Sequence, residues 1–161
     1  MATGHHGVTL NGQDQLLTDF TFETRFMHDI TLTRGSAGNV VTSGRGVDLC
    51  FDHHCYAPHA NLFTDVDLGA GTRMFQSGGG AKLGRHCAAF GTFWNIRSGA
   101  PQTWPAGWSP DRIQLIGVAT REASTLDPNG RWLEAIPPER LQPANLHAAQ
   151  LARRLHKNEA K

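Results

Sequence analysis

Gln15-Leu16-Leu17-Thr18, Asn39-Val40-Val41-Thr42 and Asn61-Leu62-Phe63-Thr64 are three copies of one pattern: an amide, two apolar residues and a threonine. The copies begin 24 and then 22 residues apart. A period of this size is typical of proteins that stack one small structural unit per repeat. Leucine-rich repeats need a denser leucine consensus than this chain has, so a stack of coils made from short parallel strands is the better interpretation.

Alternating apolar and polar residues support the same fold. The alternation is seen at Phe20 and Phe22, Ile30 and Leu32, Val47, Leu49 and Phe51, and Val66 and Leu68. Glycine is abundant, at 18 of 161 residues, and supplies the bends that many short strands require. The sequence therefore predicts an all-β fold, a right-handed parallel β-helix that forms a partial stack of about five coils.

The last third of the chain has a different character. We predict β-helix coils over residues 1–100, and an irregular cap with a C-terminal helix over residues 101–161. Within the latter, Asp111 to Thr120 is typical of one more strand, and Pro143 to Lys157 places its leucines and alanines mostly on one side of a helix. A cap is expected because the last coil of a stack would otherwise expose an unpaired strand edge.

Charge and hydropathy restrict the partners. The net charge of +1 provides no basic field for nucleic acid, and no apolar run approaches the ~20 residues of a membrane span. No signal peptide is recognisable either. The chain enters strand-like sequence almost at once, at Gly7-Val8-Thr9-Leu10, which we interpret as a piece of a longer protein whose upstream coils pair with it. We expect neither nucleic acid nor membrane as a partner.

The period also places ionisable residues near one another. His6, Asp29, Asp52, Arg73 and Asn95 follow one another at steps of 21 to 23 residues. Residues one coil apart stand ~4.8 Å apart, so these side chains are predicted to form a stripe on one face. Other histidines and Trp94 neighbour them in sequence. A stripe with this composition on the outside of a β-helix is interpreted as a sugar-binding groove.

The densest cluster of polar groups is Asp52-His53-His54, which is followed by His59, Asp65 and Asp67. A carboxylate beside an imidazole can form an acid/base pair, because histidine titrates near neutrality and the carboxylate orients it. The alternative is that these side chains hydrogen-bond the bends between coils.

Neither a metal nor a cofactor is predicted. The possible zinc ligands match no standard zinc spacing; they are Cys50, Cys55, His59, His86 and Cys87. Gly78-Gly79-Gly80 with Lys82 lacks the spacing of a phosphate-binding P-loop.

Several motifs together resemble a known family. They are Gly4-His5-His6-Gly7, Asp52-His53-His54, Pro58-His59-Ala60-Asn61-Leu62-Phe63-Thr64, Gly69-Ala70-Gly71-Thr72-Arg73, Ser77-Gly78-Gly79, Thr92-Phe93-Trp94-Asn95-Ile96 and Asp127-Pro128-Asn129-Gly130-Arg131-Trp132. This set resembles the C-terminal part of pectate-lyase-superfamily β-helix proteins, in particular a bacterial group with an uncharacterised C-terminal domain. The resemblance implies an extracellular or periplasmic parent protein that processes polysaccharides, by hydrolase or lyase chemistry. The superfamily also includes non-catalytic members.

The expected function is therefore carbohydrate-active, and two chemistries stay open. A hydrolase would use Asp52 with Asp29 or Asp65 as the carboxyl pair, tuned by His53 or His54. A lyase would use His53 or His54 as the base and Arg73 to neutralise a uronate carboxylate. Substrate contacts are predicted for His6, His28, His59, Asp67, Trp94 and Asn95. The alternative is a non-catalytic carbohydrate-binding or adhesion module, in which Asp52, the histidines and Arg73 do not share one cleft.

Overall fold

The computed structural model describes residues 4–110, 112–128 and 130–159 and consists almost entirely of short strands. In order they are β1 (His6–Leu10), β2 (Leu16–Thr18), β3 (Thr21–Phe22), β4 (His28–Leu32), β5 (Val40–Gly46), β6 (Phe51–His53), β7 (Leu62–Asp67), β8 (Thr92–Arg97), β9 (Gln114–Val118), β10 (Thr125–Leu126) and β11 (Trp132–Glu134). Short 3-10 turns lie at Ala81–Leu83 and Pro138–Arg140, and helix α1 spans Leu146–Glu159. Strand β9 and helix α1 confirm the strand and helix predicted in the last third, although Asp111 lies outside the described residues.

The strands form two parallel sheets that the chain visits in turn. A short sheet has the order β1-β4-β6, and a long sheet has the order β2-β5-β7-β8-β9-β11, with β3 also pairing with β5. The molecule is thus a parallel β-helix, as predicted, but with about six turns instead of five. Phe63, Phe93, Leu115 and Leu133 are register partners at steps of 30, 22 and 18 residues. This irregular spacing explains why the later turns are not visible as a sequence repeat.

The three sequence copies stack as predicted. Leu16, Val40 and Leu62 are register partners in β2, β5 and β7, and the copies' threonines Thr18, Thr42 and Thr64 are aligned in the same way. Each copy is therefore the same edge of the solenoid, repeated one turn further along.

Two columns of left-handed residues set the length of this edge. The first corner column precedes each copy and the second follows it, and all their φ angles lie between +52° and +67°. The first contains Asp14, Gly38, Ala60 and Phe90, and the second contains Asp19, Ser43, Asp65, Asn95 and Gly117. Asp, Asn and Gly tolerate this backbone region better than other residues, which accounts for much of the second column. The chain turns sharply at both columns, so the four residues between them form one short strand.

Buried asparagines hold the first corner together. Asn61 Oδ1 accepts a hydrogen bond from the Asn39 amide at 3.0 Å, and Asn39 Oδ1 accepts one from the Gln15 amide at 2.9 Å. Their side-chain NH2 groups donate to the carbonyl oxygens of Ser36 and Gly12 at 3.1 Å. The amide of the sequence pattern is thus a ladder that satisfies backbone groups where the strand bends.

The core is a stack of aromatic side chains inside the solenoid. Phe63 is fully buried, with its ring centroid 4.5 Å from that of Phe51 and 4.8 Å from that of Phe93. The rings of Phe63 and Phe93 are nearly parallel, at 5°. Stacking of successive turns therefore brings aromatic groups from β6, β7 and β8 into one column.

The downstream end is closed by a hairpin and indole rings. Strand β10 pairs antiparallel with β11 and ends the parallel order of the long sheet. Trp104 and Trp108 are buried at 7% and 8% exposure, and Leu141 covers Gly117. Helix α1 contacts the long sheet at β7. No helix among the described residues is both long and apolar enough to cross a bilayer.

Candidate functional site

Four histidines gather at the outer side of the short sheet. The ring centroids of His5 and His6 lie 4.4 Å apart, and each lies within 5.4 Å of that of His28. The ring of His54 follows at 6.4 Å from that of His28. Beneath them is the fully buried carboxylate of Asp52, whose Oδ2 is 3.3 Å from His54 Nδ1 and 3.6 Å from His28 Nδ1. We call His5, His6, His28, His54 and Asp52 the histidine cluster.

A glycine-rich loop covers this cluster. The Gly78 amide donates a hydrogen bond to Asp52 Oδ1 at 2.8 Å. A Cβ atom at Gly78 would lie 2.7 Å from His28 Nε2, so only glycine fits at this distance. Burial lowers the pKa of His28, and the Asp52 carboxylate opposes this only in part. The predicted flexible turn is therefore a cover over His28, while His54 keeps 26% of its side chain exposed.

His53, in contrast, points into the core. Its ring is fully buried and packs against the rings of Phe63, Phe93 and Trp108, at centroid distances of 4.9 to 5.8 Å. Its Nδ1 lies 3.0 Å from the Phe51 carbonyl oxygen. Burial lowers the pKa of His53 to about 4. The alternation of a strand identifies this direction, because His53 shares the side of Phe51.

The depressed pKa of His53 predicts acid sensitivity. Between pH 6.5, its ordinary pKa, and about pH 4, the unfolded chain binds a proton at this histidine that the folded chain refuses. The free energy of unfolding is therefore expected to fall by about 3 kcal/mol as the pH drops through this window, and to gain nothing from this group above it. Urea denaturation at pH 7 and pH 4 measures the effect. His53→Leu should remove this part of the pH dependence and exposed His59→Leu should not; equal pH dependence in all three proteins would contradict the prediction.

Arg73 and Asp29 form a buried ion pair that lies apart from the histidine cluster. The two residues are 8% and 1% exposed, and Arg73 Nη2 donates to Asp29 Oδ2. Arg73 Nε also donates to the Asp48 carbonyl at 2.9 Å, and Nη1 to the Met27 carbonyl at 3.1 Å. Asp29 accepts from the amides of Phe26 and Cys50. Both groups are therefore occupied by contacts that link successive turns.

The predicted stripe is thus divided. His6 and Asp52 belong to the histidine cluster, whereas Asp29 and Arg73 form the separate pair. Asn95 lies on the long sheet, where its Nδ2 donates to the Ala144 carbonyl at 2.7 Å. Asp52, His53 and Arg73 therefore do not converge on one cleft.

A second candidate surface runs along the second corner column. An open groove of about 500 Å³ crosses β3, β5, β7 and β8, and we call it the corner groove. It is lined by Asp19, Phe20, Thr21, Ser43, Gly44, Arg45, Asp65, Asp67 and Arg97. Arg97 Nη1 donates to Asp65 Oδ1 at 2.7 Å, in a pair that is 40% and 30% exposed. Asp65 and Asp67 were predicted to face a ligand; Asp19 was not, although the repeat aligns it with Asp65.

The remaining predicted contact residues lie elsewhere. His59 is exposed on the loop before β7, with Nδ1 3.1 Å from the Ala57 carbonyl oxygen. Trp94, next to Asn95 on β8, donates from Nε1 to the Pro143 carbonyl at 2.7 Å. Trp94 and Asn95 are thus both engaged by the segment that precedes α1.

The cysteines and metal ligands form no evident centre. Cys50, Cys55 and Cys87 are free and buried, and burial raises the pKa of Cys50 to about 12. Within the part of the chain that the structure describes, no group of three or more His, Cys, Asp or Glu side chains is placed to hold a metal ion.

Comparisons with known proteins leave the fold as the basis for interpretation. The chain matches no protein-family model, no curated protein and no solved structure. The resemblance to the pectate-lyase superfamily is therefore supported at the level of the parallel β-helix alone, and the family assignment stays a prediction.

Proposed function

We propose that this chain binds a polysaccharide along the corner groove without cleaving it. The observation that carries the proposal is the composition of the groove: three carboxylates and two guanidinium groups stand on successive turns along one open channel. Neighbouring turns repeat these groups at the strand spacing of ~4.8 Å. A polymer of sugars can therefore meet the same kind of polar group several times.

The chemistry of the side chains suits sugar hydroxyls. Carboxylates accept hydrogen bonds from hydroxyl groups, and guanidinium groups donate to hydroxyl and ring oxygens. Asp19, Asp65 and Asp67 outnumber Arg45 and Arg97, which favours a neutral or amino-sugar polymer over a polyuronate. The open shape of the groove admits a chain that continues at both ends.

A binding module is favoured over an enzyme because the predicted catalytic groups are dispersed. His53 is inside the core, and Arg73 is consumed by Asp29 and two backbone carbonyls. A lyase that relied on Arg73 to neutralise a uronate would need that guanidinium free.

The proposal predicts which substitutions weaken binding. Asp19→Asn and Arg45→Gln are each expected to reduce affinity for a bound hexasaccharide about tenfold, the size of ~1.4 kcal/mol of lost charged hydrogen bonding. Asp14→Asn is the matched control, because Asp14 is also exposed at a left-handed position but belongs to the first corner column. Calorimetric titration with hexasaccharides of glucose, glucosamine and galacturonate measures the affinities. Binding that no groove variant weakens beyond the Asp14→Asn control, or no binding at all, would refute the proposal.

One observation favours a second candidate, acid/base catalysis at the histidine cluster. His54 and the buried Asp52 form a carboxylate-oriented imidazole beside a cavity of about 190 Å³ lined by His6, Thr9, Thr31, Thr33 and His54. Such a pair can act as a general base. Release of reducing ends or of unsaturated uronates that His54→Gln abolishes and His59→Gln retains would favour this candidate.

A further inference from the structure

The segment between the downstream end of the solenoid and helix α1 crosses the second corner column. We call residues 143–146 the C-terminal strap. Behind it, Leu141 is anchored in the core at 4% exposure, against Gly117. Beyond it, α1 leaves the body of the protein: its side chains are exposed from Gln150 to Lys157, including Leu151 and Leu155 at 46% and 53%.

Polar hydrogen bonds attach the strap to the long sheet. Asn145 Nδ2 donates to Thr42 Oγ1 at 2.8 Å and to Ser43 Oγ at 3.1 Å. The Leu146 amide donates to Thr64 Oγ1 at 3.0 Å. The strap carbonyls of Pro143 and Ala144 accept from Trp94 and Asn95 at 2.7 Å.

The strap and the corner groove share residues. Ser43 and Asp65 line the groove, and both lie within reach of Asn145 Nδ2, at 3.1 Å and 3.5 Å. Beneath the strap the same column continues with Thr64 and Asn95. The groove is therefore open at Asp19 and covered from Asp65 onward.

These contacts are of a kind that a sugar can replace. Each joins one strap donor or acceptor to a side-chain hydroxyl, amide, carboxylate or indole N–H, and a sugar hydroxyl can both donate and accept. The net free energy of such exchanges is small, because hydrogen bonds to the strap are replaced by hydrogen bonds to the ligand.

We propose that the C-terminal strap is a displaceable occupant of the polysaccharide site, and that a long glycan lifts it to reach Thr64, Trp94 and Asn95. This inference rests on the proposed function of the corner groove. A short glycan fits the open part and leaves the strap in place. A longer glycan extends under it, adds contacts to Trp94 and Asn95, and releases α1, which has few other contacts with the body.

Two substitutions at Asn145 test the strap in the full-length chain. Asn145→Ala removes the donor to Thr42 and Ser43 and also the helix cap, in which Asn145 Oδ1 accepts from the Ala148 amide at 2.9 Å. Asn145→Asp keeps an acceptor for the cap but removes the donor and places a carboxylate beside Asp65. Gln150→Ala, an exposed amide on the same helix, is the control.

The expected readouts are glycan length dependence and hydrogen–deuterium exchange. Both Asn145 variants should bind a hexasaccharide of the panel sugar roughly fivefold to thirtyfold more tightly, with disaccharide affinity unchanged. In the wild-type protein, the hexasaccharide and not the disaccharide should increase exchange at the Leu146 amide. Gln150→Ala should behave as wild type.

The opposite results separate the two proposals. If both glycans bind, but hexasaccharide affinity is unchanged in the Asn145 variants or exchange at Leu146 is unaffected by it, the strap inference is wrong and the corner groove stands. If no glycan binds the wild type or either variant, the proposed function fails and the strap inference fails with it. Hexasaccharide binding to the variants alone would support both proposals.

Discussion

Arg73→Met is expected to lower the free energy of unfolding by about 3–5 kcal/mol, one of the two largest losses that we predict for a single substitution in this chain. The reason is that Asp29, at 1% exposure, would keep its charge without a partner in a site closed to water. The carbonyl groups of Asp48 and Met27 would lose their donors as well. Urea denaturation at pH 7 measures the loss.

Two controls identify the cause. Arg97→Met breaks an ion pair of the same kind, but that pair is 40% and 30% exposed, so a loss of only ~0–1 kcal/mol is expected. The double variant Arg73→Met/Asp29→Asn removes the uncompensated charge and should be more stable than Arg73→Met alone. A single Arg73→Met variant as stable as Arg97→Met would show that the buried pair does not hold the turns together.

Phe63→Ala is expected to cost a similar amount, about 3–5 kcal/mol. Phe63 is the middle ring of the aromatic stack and is fully buried, so its removal leaves a cavity bounded by Phe51 and Phe93. Because each turn is held mainly by its neighbours, the stack cannot close around this cavity by a local movement.

Leu126→Ala is the comparison for the Phe63 prediction. Leu126 on β10 is 74% exposed, and its truncation should change stability by less than ~0.5 kcal/mol. Denaturation of both variants against the wild type measures the difference. A Phe63→Ala protein as stable as Leu126→Ala would mean that the aromatic column is not the core.

The register of the first turns is predictable because it is written in the sequence as a repeat. Leu16, Val40 and Leu62 share residue type, spacing and neighbours, and they stack as these features predict. The later turns are not predictable in this way, since the step from Phe63 to Phe93 is interrupted by the glycine-rich loop. The repeat therefore determines the fold but understates the number of turns.

Spacing alone predicts the site only in part. It brings Arg73 close to Asp29, but it cannot show that both are buried and mutually neutralised. Alternation within β6 would have separated inward His53 from His54, had the pattern been anchored on the core residue Phe51. Contacts such as that between Asn145 and Thr42 join residues about a hundred positions apart, and no local pattern announces them.

The two corner columns have a consequence for how such a molecule can change. The step from one column to the other is five residues in each of the four turns that contain both, from Asp14 to Asp19 through Phe90 to Asn95. Differences in turn length are therefore confined to the rest of each circuit, where residues inserted between β7 and β8 form the cover over His28. The corner edge acts as a fixed ruler, so evolution or an engineer can exchange whole loops on the opposite flank while the ruler's spacing of polar groups persists.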